Sequence, residues 1–138
     1  MKISEQIIQL NNEVMVKLAP SEIHGVGVFA IRDIKKGERM YCNPSFVRKF
    51  YNIPFSKLNK LRPEIKSLII ERWPSLINFP YFQSPNDDAW PVLFMNHSDE
   101  QNYDYTTDCA IRDIKKGEEI TENYKLMKNY EKVCLFLV

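Results

Sequence analysis

The chain has 138 residues, 44% of them apolar, enough for one compact core and too few for two ordinary domains. Its net charge of +1 makes neither nucleic acid nor a membrane surface the expected partner, and no apolar run nears membrane-spanning length. The start carries Lys2, Glu5 and Gln6 where a secretory signal has an apolar core, and Cys42, Cys109 and Cys134 show no Cys-x-x-Cys or Cys/His spacing, which fits a reduced, intracellular protein without structural zinc.

Residues 1–12 read as a short helix or an ordered tail, with Ile3, Ile7, Ile8 and Leu10 available to pack. Residues 13–18 alternate, with Val14, Val16 and Leu18 on one face, which predicts a half-buried strand. Ala19, Pro20 and Ser21 turn the chain, and residues 26–34 are β-rich. A turn at 33–38, begun by Asp33 and closed by Gly37 at positive φ, leads into Arg39, Met40, Tyr41 and Cys42. Seven of the eight prolines fall in residues 43–91, which excludes long regular elements there. Within that stretch residues 63–73 make the best helix, with Pro63 in the first turn, Glu64 at the positive end, and Ile65, Leu68, Ile69 and Trp73 on one face. Residues 56–61 read as a shorter helix before it. The apolar run 92–95 ends a strand, and Asn96-His97-Ser98 turns out of it, presenting hydrogen-bonding groups. A strand at 105–111, a turn at 113–117 and a strand at 119–121 follow. Beyond Tyr124, the spacing of Leu126, Met127, Tyr130, Val133 and Cys134 predicts a short helix with an apolar end at 135–138.

The four glycines are placed with economy. Gly25 and Gly27 lie in a Gly-Val-Gly element, and Gly37 and Gly117 occupy the same place in two copies of one phrase, AIRDIKKGE, at 30–38 and 110–118. A residue that costs backbone entropy thus appears only where a turn or close approach requires it. The repeat is too short for a solenoid and reads as a duplicated hairpin-like unit.

The order His24-Gly25-Val26-Gly27-Val28-Phe29-Ala30, then Asn96-His97-Ser98, then Ala110, Ile114, Gly117-Glu118-Glu119-Ile120 and Tyr124 resembles the SET-domain protein lysine methyltransferases over residues 13–124. The resemblance implies a mainly β fold of the β-clip type, built of small sheets with short helices, a helical insert in the middle and a knot-like threading near the C-terminus. It divides a single domain, 1–138, into an N-terminal part at 13–42, a variable insert at 43–91, a C-terminal part at 92–124 and a tail at 125–138. Two departures stand out. The family commonly continues Asn-His-Ser-Cys-x-Pro-Asn, where this chain has Asp99 and Gln101 before Asn102, and Asn123 replaces the Asp that commonly precedes the tyrosine. The cysteine-rich zinc segment that closes the channel in many members has no counterpart here, so Tyr130, Phe136 or a second subunit would close it, which leaves a homodimer as one of the open alternatives.

The same resemblance implies S-adenosylmethionine as methyl donor, S-adenosylhomocysteine as product, and no metal. It places His24, Gly25, Val26, Gly27, Asn96, His97 and Tyr124 at the cofactor, with Tyr124 also the catalytic residue that orients the lysine amine. Tyr41, Tyr81, Tyr103, Tyr105 and Phe136 are candidates for the substrate channel. The chemistry needs a neutral amine, an apolar channel and alignment at about 3–3.5 Å. Lysine titrates near pH 10.4, so about 1 in 2,500 is neutral at pH 7, a penalty of about 4.6 kcal/mol that burial and a nearby cation reduce. Tyrosine, near 10, is a poor base at neutral pH, so positioning is the role expected of Tyr124.

Residues 85–111 carry six carboxylates and no Lys or Arg. They read either as a solvated loop or as a negative rim attracting a cationic peptide. The expected partner is a protein or peptide presenting a lysine, such as a histone tail, with no direct nucleic-acid or membrane contact. The expected location is intracellular, in cytoplasm or nucleus (a host nucleus for a viral or effector protein). A catalytically silent module binding cofactor or a basic peptide through the same groove is the alternative.

Overall fold

The structure is a computed structural model that describes residues 2–43, 50–72, 81–85 and 91–126; the side chains of Phe50, Glu71, Arg72 and residues 81–85 are outside that description. In chain order the elements are α1 (Ile3–Glu13), β1 (Val16–Pro20), β2 (Val26–Ala30), β3 (Phe50–Pro54), α2 (Pro63–Arg72), β4 (Tyr81–Pro85), β5 (Asn96–His97), β6 (Tyr103–Asp104), β7 (Cys109–Ala110) and β8 (Glu119–Glu122). Short 3-10 turns cover Phe55–Lys60, Pro91–Phe94 and Tyr124–Leu126. The largest sheet runs β1-β2-β8-β5, and β3-β4 and β6-β7 form separate pairs. Only β5 and β8 are parallel among these pairs, with Asn96 opposite Thr121 and His97 opposite Glu122.

Two apolar cores result. The first gathers Met15, Val16, Val28, Met40, Cys42, Met95, Tyr103 and Ile120 around the large sheet. The second packs Ile7 and Leu10 of α1 against Tyr51 and Ile53 of β3 and Ile65 and Ile69 of α2. Ile3 and Ile8 of α1 stay exposed, because a helix has one inward stripe and Ile7 with Leu10 already fills it. The Lys2 N–H donates to Glu5 Oε2 at 3.1 Å, tying off the helix start, and Gln6 Oε1 accepts the Asn52 N–H at 2.8 Å.

The two copies of AIRDIKKGE are not independent hairpins. They clasp each other about a local two-fold. Ile34 and Ile114 exchange both backbone hydrogen bonds, at 2.7 and 2.8 Å. The Gly37 N–H donates to the Ala110 carbonyl and the Gly117 N–H to the Ala30 carbonyl, both at 2.8 Å. The Lys36 N–H donates to Asp113 Oδ1 at 2.8 Å and the Lys116 N–H to Asp33 Oδ1 at 2.9 Å. Gly37 and Gly117 have φ of +86° and +90°, the left-handed conformation expected at the end of each turn.

The 63–72 helix and the 3-10 turn at 55–60 stand close to expectation, while the insert strands β3 and β4 were not anticipated. Ala19 and Pro20 belong to β1 instead of turning the chain, with Pro20 opposite Val26 at the strand end. The run 92–95 is mostly a 3-10 turn begun by Pro91, whose fixed φ suits a first helical position, and Asn96-His97 is itself the strand. The strand expected at 105–111 is broken. Asp104 accepts hydrogen bonds from the Thr106 N–H and hydroxyl, and Asp108 adopts φ +60°, folding residues 103–110 into a hairpin. Tyr41 also has positive φ, +56°, which stops a strand from forming after Arg39. The C-terminal helix and much of the region expected to thread, residues 127–138, lie outside the described residues, as do Trp73, Met127 and Tyr130.

Candidate functional site

Three distant segments meet at the middle of the large sheet. The first is the loop from Ser21 into β2. The Ser21 N–H donates to the Gly25 carbonyl at 2.8 Å and Ser21 Oγ accepts the Ile23 N–H at 3.0 Å, curling the loop tightly enough to need φ +47° at Gly25. An added Cβ at Gly25 would meet no atom within 4 Å, so the outer face of the loop is open. Gly27 is different. A Cβ there would lie 2.8 Å from Glu119 Oε2 and 3.0 Å from the Ser21 Cβ. Its missing side chain makes room for Glu119, which takes the Ser21 hydroxyl hydrogen bond at 2.6 Å.

The second segment is β5. Asn96 is buried, and its Nδ2 donates to the carbonyls of His24 (3.0 Å) and Val26 (3.2 Å) and to Glu119 Oε2 (3.1 Å). The amide therefore grips the loop on both sides of Gly25. Parallel pairing with β8 holds Asn96 in register, and Asn102 holds β8 in turn. Fully buried, Asn102 donates from Nδ2 to the Glu119 carbonyl (2.9 Å) and Glu118 Oε2 (3.2 Å) and accepts the Thr121 N–H (2.9 Å).

The third segment begins at Tyr124. Its N–H donates to His97 Nδ1 at 3.1 Å, and its ring centroid lies 5.4 Å from that of His97. Its hydroxyl donates to the Met95 carbonyl. Because Nδ1 accepts, the His97 proton sits on Nε2, which faces Asp99 Oδ1 at 3.3 Å. Lys125 Nζ lies 3.0 Å from the same oxygen and, with His97 assisting, holds the Asp99 carboxyl below its usual range. Asp99, a departure from the family pattern, thus steadies the ring that positions Tyr124.

His24, Gly25, Val26, Gly27, Asn96, His97 and Tyr124 are therefore brought together through direct contacts. The aromatic candidates divide. Tyr103 is 1% exposed and packs in the first core, its hydroxyl donating to Asp108 Oδ1 at 2.7 Å. Tyr41 is half-buried against that core, and Tyr105 is exposed, its hydroxyl donating to the Leu126 carbonyl at 3.4 Å. The Tyr81 side chain and Phe136 lie outside the described residues. Of the acidic stretch, Asp108 is internal, accepting from the Tyr103 hydroxyl and the Cys42 N–H. Asp99 is offset by Lys125, and Asp87 and Asp88 lie outside the described residues, so Glu100 and Asp104 carry what rim is described. Among the described residues no group of three or more His, Cys, Asp or Glu is arranged to hold a metal, and no helix is long and apolar enough to cross a membrane.

Sequence reasoning passed over Glu122. It is 5% exposed, its Oε2 has no hydrogen-bond partner among the described residues, and burial pushes its carboxyl up to about 7. The available signal was a charged residue two positions after Ile120, on the strand face that Ile120 turns to the core.

The fold and the meeting of the Gly-Val-Gly loop, the Asn-His strand and the closing tyrosine define a class, the SET fold of lysine methyltransferases. The SET-domain profile matches residues 25–125, and the chain belongs to that family. Among solved structures, it is similar to the Plasmodium falciparum candidate histone methyltransferase PFL0690c (22% identity, 83% of this chain and 96% of that one, TM-score 0.41). It is also similar to Chaetomium thermophilum Polycomb Repressive Complex 2 bound to GSK126 (21% identity, 90% of this chain and 18% of that one, TM-score 0.42). The apo form of a variant of that complex gives 21% identity, 88% and 16% coverage and a TM-score of 0.40. No curated protein matches the chain significantly.

Proposed function

We propose that this protein transfers a methyl group from S-adenosylmethionine to the side-chain amine of a lysine in a protein substrate, a histone or another basic protein. The observation that carries this reading is the chain of contacts from Gly25 to Tyr124. Asn96 holds the carbonyls flanking Gly25 while its neighbour His97 holds the Tyr124 N–H. The residues present fit the methyl donor in type. The open backbone at Gly25 admits a ligand against the loop, and the uncharged Asn96 beneath it fixes the loop without competing for the ligand's charges.

Bound there, the donor supplies an activated methyl carbon. The chain's own residues do the rest. Tyr124 is fixed at both ends, N–H to His97 and hydroxyl to the Met95 carbonyl, and a phenolic oxygen can accept a hydrogen bond as well as donate one. Its role is to orient that amine, for which restricted motion matters more than basicity.

Labelled methyl transfer to a core-histone mixture tests this, alongside calorimetric binding of S-adenosylhomocysteine. Tyr124→Phe is expected to bind the product as the parent does and to slow transfer about a hundredfold, the scale of a lost positioning contact. A variant as fast as the parent would remove the hydroxyl's role. A parent that binds S-adenosylhomocysteine yet transfers nothing would leave the silent binding module as the better reading.

A further inference from the structure

Glu122 occupies a position that no packing argument explains. It closes β8, two residues before Tyr124, opposite His97 in the β5-β8 register, and its carbonyl accepts the Ser98 N–H at 3.0 Å. Strand alternation puts its side chain on the face of Ile120, toward the first core, while Glu119 and Thr121 face the other way. The carboxylate is a negative neighbour of Cys42 and Tyr103, and Asp108 stands behind both. His97, on the paired strand, accepts the Tyr124 N–H at Nδ1 and faces Asp99 with Nε2. Among the described residues no cation faces Glu122, and burial is what raises its carboxyl. The Tyr124 hydroxyl, two residues further along the chain, donates to the carbonyl of Met95, the residue before the strand that pairs with β8.

A carboxylate oxygen buried away from water without a hydrogen bond, as Oε2 of Glu122 is among the described residues, is costly, and such groups occur where a ligand completes them. We propose that Glu122 is a further catalytic residue: its carboxylate pairs with the substrate lysine ammonium inside the protein and takes one proton from it. This rests on the lysine methyltransferase reading of the site and supplies the proton acceptor that Tyr124 cannot be. In the step, one N–H bond of the ammonium breaks and one O–H bond forms on Glu122, turning an ion pair into a neutral amine and a neutral acid. The amine lone pair is then free to take the methyl group. The methylated nitrogen is again a cation, so it gives up no further proton in that turnover, and Glu122 returns its proton to water when product leaves. A carboxyl poised near neutrality can both accept and release that proton.

Glu122→Gln keeps shape and removes the titration. With core histones as substrate, the variant is expected to transfer about a hundredfold more slowly at neutral pH. Its rate should climb tenfold per pH unit into the alkaline range as free lysine deprotonates, with S-adenosylhomocysteine binding unchanged. A second measurement reads the carboxyl directly. In protein carrying carbon-13 glutamate, the Glu122 signal, identified by its loss in Glu122→Gln, should titrate lower when n-butylamine is added as a mimic of the lysine tip, and be unmoved by n-butanol. A variant with the parent's rate and pH profile overturns the proposal. So does a Glu122 signal indifferent to n-butylamine. If the parent transfers no methyl while that signal does respond, the cation site stands and the methyltransferase reading fails, so the two are separable.

Discussion

At the scale of single residues, the site is made of polar groups that each answer another. Asn96 satisfies two carbonyls and a carboxylate, Asn102 pins β8 from both edges, and Asp99 fixes the tautomer of His97. These are side chains whose names were visible in the sequence but whose partners were not, because Asn96 and Asn102 lie between 16 and 72 positions from the residues they hold. Glu122 breaks the rule, and stability carries the consequence. Its carboxyl titrates near 4.5 when free and about 7 when folded, so the folded chain holds that proton more tightly. Its favourable contribution is complete below about 4.5 and is lost as pH rises through about 7. The stability of Glu122→Gln relative to the parent should therefore improve by about 3 kcal/mol between pH 4 and pH 8. Urea unfolding at the two pH values measures this, and a gap that does not widen would mean the carboxyl is not buried as described.

At the scale of elements, the AIRDIKKGE repeat shows what a pattern can and cannot reveal. Both copies were legible, as were their turns, because Asp begins and Gly ends each one in the same way. A local reading made each copy its own hairpin. Each in fact completes the other, since a turn's N–H groups need acceptors and the other copy's Asp supplies them. Asp33→Ala and Asp113→Ala should therefore destabilise by similar amounts, about 1 kcal/mol each, by loss of one charge-assisted hydrogen bond to a backbone N–H. Denaturant midpoints would show it, and a several-fold difference between the two would deny the reciprocity. The same limit explains the misplaced strand before Asn96. Apolar runs fit strand and 3-10 turn alike, and Pro91 at the first position decided for the turn.

At the scale of the whole molecule, two cores meet where the chain passes from Ala30 in the first to Ile31 in the second, and the Ile31 N–H donates to the Met15 carbonyl at 2.9 Å. The site lies on the first core, so the cores should separate in function though not in stability. Ile69→Ala and Ile120→Ala each remove a buried side chain and should each cost about 2–5 kcal/mol. Only Ile120→Ala, on the strand carrying Glu122 toward Tyr124, should also weaken S-adenosylhomocysteine binding when both variants are compared well below their melting temperatures. Equal binding losses would place the second core in the site as well. The sequence by itself determined the family, the turn glycines, the α2 helix and the residues grouped around Gly25, Asn96 and Tyr124, because these depend on local backbone chemistry and on residue order. Only the tertiary structure decided that Gly27 makes room for Glu119, that Tyr103 is core, that the repeats embrace and that Glu122 is buried with its Oε2 unbonded among the described residues. Each of those is a contact between segments far apart in the chain, and burial is a property of what the rest of the molecule places nearby.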